Sequence, residues 1–260
     1  MSLRATERVT LRSILIVPVA AVLLLLAAEA TAADGAPPLA DTCGSAFSGL
    51  AAESMWLTTR DGVRLYAVQA GTGSTTIVLA HEAVSSLCES LPYAKTLIDS
   101  GLRVLAFDFR GYGNSDRPRR NHLALGNDLA AAVQRARDTG ASRVFLLGAS
   151  MGGAAIVQNT STLAVDGRIS LSGTRLWRGF GVNNPAAVRR LRSPFLFVGS
   201  RRDRIVPVRE ALQVFRRVGS RDKRTAFYRG SRHGYDLVQS GPNAATVRAL
   251  ILGWVRSRSS

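Results

Sequence analysis

The sequence predicts an α/β domain: a mostly parallel sheet with helices on both faces. β-rich runs alternate with helix-like segments along most of the chain, the order that a covered parallel sheet requires. Runs such as Ile77-Val78-Leu79-Ala80 and Val144-Phe145-Leu146-Leu147 are apolar without a break, as strands buried on both sides are. The 260 residues are 46% hydrophobic and 20% charged, which suits one globular domain and excludes collagen, coiled coil and solenoid. No internal repeat and no second domain are evident.

Taken in order, the chain begins with Arg4, Arg8 and Arg12 ahead of an apolar stretch over 14–28, followed by the small-x-small pattern Ala30-Thr31-Ala32. This is the layout of a secretory signal peptide, expected over 1–32. Fifteen residues in a helix cover roughly 22 Å, short of a hydrocarbon core of roughly 30 Å, and Pro18 interrupts them. A Sec-exported, extracytoplasmic product is therefore expected, with an N-terminal membrane anchor as the alternative. Residues 33–50, rich in Ala, Gly, Pro and Ser, read as an extended lead-in, and the domain proper as 51–260.

Eight strands are expected, at 54–59, 63–69, 75–80, 102–107, 143–147, 168–171, 194–199 and 225–228. Asp61-Gly62 marks a tight turn, so the first two should form an antiparallel hairpin. Helices are expected at 91–100, 122–139, 151–160, 185–191, 208–218 and 242–256.

Of the 34 basic residues only Lys95 and Lys223 are lysines, and the formal charge is +16. A basic surface suits an anionic cell envelope or polymer. Nucleic acid is not expected, because the arginines are dispersed and no basic arm, zinc pattern or aromatic RNA-binding motif is present. Cys43 and Cys88 both survive signal cleavage and are expected to pair in an oxidising compartment. Two cysteines and three histidines without ligand spacing make no metal site, and no cofactor motif appears.

The sharpest chemical signal is Gly148-Ala149-Ser150-Met151-Gly152, a G-x-S-x-G match between an apolar strand and a helix. At such a turn the serine takes a strained conformation and the two glycines make room for adjoining backbone. The Met151 N–H then lies at a helix N-terminus, where partial positive charge can face an oxyanion. A serine hydroxyl needs a base, and His233, in the loop between the last strand and the final helix, is the best placed of three histidines. His81 ends the third strand and reads as a turn-holding residue; His122 looks exposed. The base needs an orienting acid, for which Asp203 has the best topological position, with Asp108, Asp116 and Asp236 as competitors.

The order Ser150, Asp203, His233, each after a separate strand, resembles the α/β-hydrolase superfamily. So do the His81 turn and Asp108-Phe109-Arg110-Gly111-Tyr112-Gly113-Asn114-Ser115, which is similar to that family's D-x-R-G-x-G-x-S loop. The likeness runs from about Glu53 to the C-terminus. It implies a Ser150, Asp203, His233 triad and an oxyanion hole from the Met151 and Ala83 N–H groups. One departure stands out: the usual His-Gly after the third strand is His81-Glu82 here, and a carboxylate near an oxyanion site opposes negative charge. Haloalkane dehalogenases and epoxide hydrolases of the superfamily use an aspartate where Ser150 stands.

The interval between Ser150 and Asp203 is filled by a helix, a strand and another helix, leaving no room for a cap domain. This points to the compact branches, esterase-like, dienelactone-hydrolase-like or serine-aminopeptidase-like. An open site suits small-molecule or polymer-attached esters. Trp177 and Phe180, in the loop 174–184, are candidates for flanking the substrate. The expected function is a secreted serine hydrolase acting on carboxylic esters. The alternatives are an amide or peptide hydrolase on the same fold and a noncatalytic exported protein that binds anionic surfaces.

Overall fold

A computed structural model describes residues 35–173 and 184–259. The expected signal segment and the candidates Trp177 and Phe180 lie outside the described residues. Eight strands form one sheet: β1 (Ala52–Thr58), β2 (Arg64–Ala70), β3 (Thr75–Ala80), β4 (Arg103–Phe107), β5 (Arg143–Ala149), β6 (Gly167–Leu171), β7 (Phe195–Ser200) and β8 (Lys223–Tyr228). Their spatial order is β1-β2-β4-β3-β5-β6-β7-β8. β2 runs antiparallel to both β1 and β4, and every pairing from β4 through β8 is parallel. The β1–β2 hairpin turns at Asp61-Gly62, where Thr59 Oγ1 donates to Asp61 Oδ1 at 2.7 Å.

Side chains alternate across the pleat, so each central strand feeds two cores. Val78, Ala80, Leu105, Phe107, Val144 and Leu146 pack on one face, beneath α3 (Leu125–Asp138), α4 (Ser150–Gln158), α5 (Pro185–Arg190) and α6 (Val208–Arg217). Ile77, Leu79, Val104, Ala106, Phe145 and Leu147 pack on the other, against α2 (Leu91–Asp99), α7 (Asp236–Gln239) and α8 (Ala244–Arg256). This period-2 division explains the unbroken apolar runs: both neighbours of every residue are buried, so no polar side is needed.

Three expectations need correction. The lead-in is not simply extended: α1 (Leu39–Cys43) is helical and Leu39 is buried against the second core. Its anchor is covalent, since Cys43 and Cys88 form a disulfide. Tyr66 Oη adds a polar tie by donating to Pro37 O at 2.9 Å. The helix expected from residue 122 begins at Leu125, because Asn121 sits in the left-handed region (φ 58°) and the chain turns there. Last, α7 interrupts the approach to α8, which starts at Ala244 rather than 242.

The turn after β4 is braced by a buried cation. Arg110, with its side chain 0% exposed, grips Asp61 at 2.8 and 3.0 Å and Asp128 at 2.7 Å, and its Nη1 donates to Asn121 O at 2.7 Å. These bonds tie the β1–β2 turn, the β4 loop and α3 together. Breaking a buried charge pair from one side costs about 3–5 kcal/mol. Arg110→Met should therefore lose about that much stability in urea unfolding, and a loss under 1 kcal/mol would show that the aspartates are relieved by solvent. The disulfide encloses a separation of 45 residues, for which loop entropy gives about 4 kcal/mol. At roughly 2–4 °C per kcal/mol for a domain of this size, Cys43→Ala/Cys88→Ala should lower the melting temperature by about 8–16 °C. An unchanged value would mean the N-terminal segment adds nothing to the domain.

Candidate functional site

The candidate residues gather at the carboxyl edge of the sheet, where a parallel α/β sheet places its ligand crevice. Ser150 follows β5, His81 and Glu82 follow β3, Asp108 follows β4, Asp203 follows β7 and His233 follows β8.

Ser150 has φ +47°, a conformation that costs a non-glycine residue energy. The flanking glycines explain how the turn closes. A Cβ on Gly148 would overlap the Gly152 backbone, and one on Gly152 would overlap the carbonyls of Ala80 and His81. Their absence lets the first turn of α4 press against the end of β3, where Gly152 N donates to His81 O at 3.1 Å. The Met151 and Ala83 N–H groups donate no hydrogen bond within the described residues.

His233 Nδ1 is 2.8 Å from Asp203 Oδ2, and the Asp203 side chain is 2% exposed. Asp203 Oδ1 accepts from Ile205 N at 2.9 Å and Val206 N at 3.0 Å. Burial pushes the Asp203 carboxyl up, but the bonds from His233 and the Val206 N–H outweigh it and hold the group below the usual carboxylate range. An ionised Asp203 only accepts, so the proton of this bond lies on Nδ1. The ring's Nε2 is buried and makes no hydrogen bond among the described residues.

The competing acids are spent elsewhere. Asp108 accepts from Leu87 N at 2.6 Å and Asn114 N at 2.9 Å, and burial pushes its carboxyl up to about 6. Asp116 pairs with Arg64 and Asp236 with Arg232, each at 3.4 Å. His81 is a hub for the turns. Its Nε2 accepts from Phe109 N at 2.9 Å and its Nδ1 lies 2.6 Å from Glu82 O, while burial pushes the ring down to about 4. A neutral ring can donate from Nδ1 and accept at Nε2 at once. His122 is exposed and lines a cavity of about 700 Å³ with Val84, Ser85, Tyr112, Arg117 and Met151. Val84, 93% exposed, adopts φ +60° beside the Ala83 N–H.

Sequence reasoning singled out Glu82 as a departure but not what surrounds it. Its Oε1 accepts from Tyr235 N at 2.8 Å, and its Oε2 lies 3.8 Å from His233 Nε2. Its own N–H donates to Glu89 Oε1 at 2.5 Å. Glu89 was not singled out, being one acidic residue in a short polar turn. Burial pushes its carboxyl up to about 7, against opposing bonds from Ser85 and the Glu82 N–H.

Among known proteins, residues 73–172 match a family model described as serine aminopeptidase, S33. That span holds His81, the Asp108 loop and Ser150 but neither Asp203 nor His233. The Escherichia coli K12 protein YfhR is 31% identical over 116 residues, 41% of this chain and 40% of that protein. Epoxide hydrolase A of Mycobacterium tuberculosis is 37% identical over 114 residues, 41% of this chain and 33% of that one. The alignments thus span well under half of these curated relatives. In structure, the chain is similar to the Pyrococcus furiosus esterase Pf2001, with a TM-score of 0.73 at 18% identity over 87% of this chain and 98% of that one. It is also similar to the Exiguobacterium antarcticum esterase, with a TM-score of 0.64 at 15% identity over 78% and 99%. These likenesses show the fold.

A raised carboxyl ties stability to pH. In the folded chain Glu89 holds its proton to about pH 7, against an ordinary 4.5, so its favourable contribution is complete below about 4.5 and is lost as pH rises through 7. Glu89→Gln keeps an acceptor for the Glu82 N–H without the titration. Its melting temperature relative to the parent should be level near pH 4.5 and rise to an advantage of roughly 2–4 °C by pH 8, allowing for partial exposure. A constant difference across that range would mean Glu89 ionises normally.

Proposed function

We propose that this chain is a serine hydrolase of the α/β-hydrolase superfamily that cleaves carboxylic esters through an acyl-enzyme. The observation that carries the reading is His233. Its Nδ1 is held by the buried Asp203 at 2.8 Å and its Nε2 makes no hydrogen bond among the described residues, at the sheet edge that presents Ser150 on a left-handed turn. In the proposed reaction His233 Nε2 takes the Ser150 proton as Oγ attacks the ester carbonyl. The Met151 and Ala83 N–H groups receive the oxyanion. The imidazolium returns the proton to the leaving alkoxide, and water, deprotonated by the same ring, releases the acid.

Between Ser150 and Asp203 the described elements are α4, β6, α5 and β7, which supports a cap-less site for bulky or polymer-attached esters. The cavity of about 700 Å³ beside Met151 is large enough for a drug-sized substrate arm. The match to a serine aminopeptidase model favours an amide as the second reading. Leaving-group preference lies in the pocket rather than in the triad, so parallel aryl-ester and arylamide panels separate the two. We infer export from the N-terminal pattern and the disulfide. Adhesion of the basic surface to an anionic envelope is compatible with that inference.

Ser150→Ala should fold normally, lose covalent labelling by a fluorophosphonate, and lose turnover of a short-chain aryl ester by at least about a thousandfold. Labelled peptide mapping and ester kinetics check both. Full turnover in this variant, or a label on another residue, overturns the proposal.

A further inference from the structure

His233 lies between two carboxylates, only one of which the hydrolase reading uses. Asp203 bonds Nδ1; the Oε2 of Glu82 stands 3.8 Å from Nε2, the nitrogen that must exchange a proton with Ser150. Glu82 is held there from several sides. Tyr235 N donates to its Oε1 at 2.8 Å, its own N–H is bound by Glu89, and Gly234, at φ +52°, has no Cβ to collide with the carboxylate. The His233-Gly234-Tyr235 turn and Glu82 are fitted to one another. At 21% exposure for Glu82 and 12% for His233, solvent screens the pair only in part.

We propose that Glu82 is a positioning residue that acts through His233, holding the protonated ring from its Nε2 side while Asp203 holds it from Nδ1. No proton passes to Glu82. The Ser150 proton goes to Nε2 and from there to the leaving group, and Glu82 supplies charge that favours the imidazolium between those steps. The ionisable groups facing the pair among the described residues are Asp203 after β7, Glu82 and Glu89 after β3, and Tyr235 beside the ring, while neighbouring Arg232 is turned to Asp236. An opposite charge within about 4–6 Å favours the charged form of a titratable group.

The consequence for turnover rests on the serine-hydrolase reading; the ion pair does not. The test compares the full chain with Glu82→Gln, which keeps the acceptor for Tyr235 N and removes the charge. The His233 ring is titrated by NMR, with His122→Ala to assign the exposed histidine, and fluorophosphonate labelling of Ser150 is timed across the same pH range. In Glu82→Gln the ring midpoint should fall by about one pH unit, and labelling in the acid limb should be about tenfold faster at equal pH. A strut that merely holds the 234–235 turn would leave both unmoved, and an unmoved ring midpoint overturns the proposal. If Glu82→Gln does not fold, Glu82→Gly makes the same comparison. Absence of labelling in both proteins would defeat the hydrolase reading, while the ring titration still decides whether Glu82 holds His233.

Discussion

Much of this site depends on one backbone constraint, the left-handed turn at Ser150. A parallel strand buried on both faces must leave the sheet at its carboxyl end and return over one face as a helix, and here it does so with no linker between β5 and α4. The turn is tight enough that a side chain at Gly148 or Gly152 would meet backbone, and it closes only because both lack one. The strain at Ser150, of order 1–3 kcal/mol, is offset by the packing of α4, whose residues are buried along its whole length. Closing the turn brings the helix N-terminus against the end of β3. The placement of Ser150, of the Met151 N–H and of the β3 turn therefore follows from one local geometry.

That geometry would be loose without a polar scaffold beneath it. The β3 and β4 turns bury backbone donors that no strand can satisfy, and each needs a partner. His81 answers Phe109 N, and Asp108 answers Leu87 N and Asn114 N. Arg110 draws in Asp61 and Asp128 from elements distant in sequence. These are the residues of the D-x-R-G-x-G-x-S loop, and their contacts are structural. The loop holds the β3 turn in place, and that turn carries Glu82 to His233.

This division also explains what could be read from sequence. Central strands such as β3 and β5 were legible because two-sided burial writes itself as an uninterrupted apolar run, the partly buried edge strands β1 and β8 from their β-rich composition, and the G-x-S-x-G turn because its steric demand falls on fixed neighbours. Helix ends were less so: the left-handed Asn121 that delays α3 answers to Arg110 across the fold, and no local pattern encodes it. The packing of α1 was hidden for a similar reason, since its attachment comes from Cys88 and Tyr66 rather than from its own polar, glycine-rich composition. Glu82 was visible as an irregularity in the His81 turn, but its proximity to His233 spans 151 positions and depends on Gly234 and Tyr235. Tertiary charge pairs of this kind leave no periodic trace.

Charge at the site runs against charge on the whole molecule. The chain carries +16, yet the Asp203 and Glu82 carboxylates flank His233. Distance decides which matters for the base. Two unit charges about 4 Å apart interact by about 4 kcal/mol at an effective dielectric near 20, less where solvent enters. A surface arginine about 15 Å away, across a Debye length of about 8 Å, contributes on the order of 0.05 kcal/mol. Dozens of dispersed arginines at such distances do not match one carboxylate at 3.8 Å. The basic surface governs what approaches the protein and how salt alters that approach, whereas the field at the His233 ring is dominated by the carboxylates within about 4 Å of it.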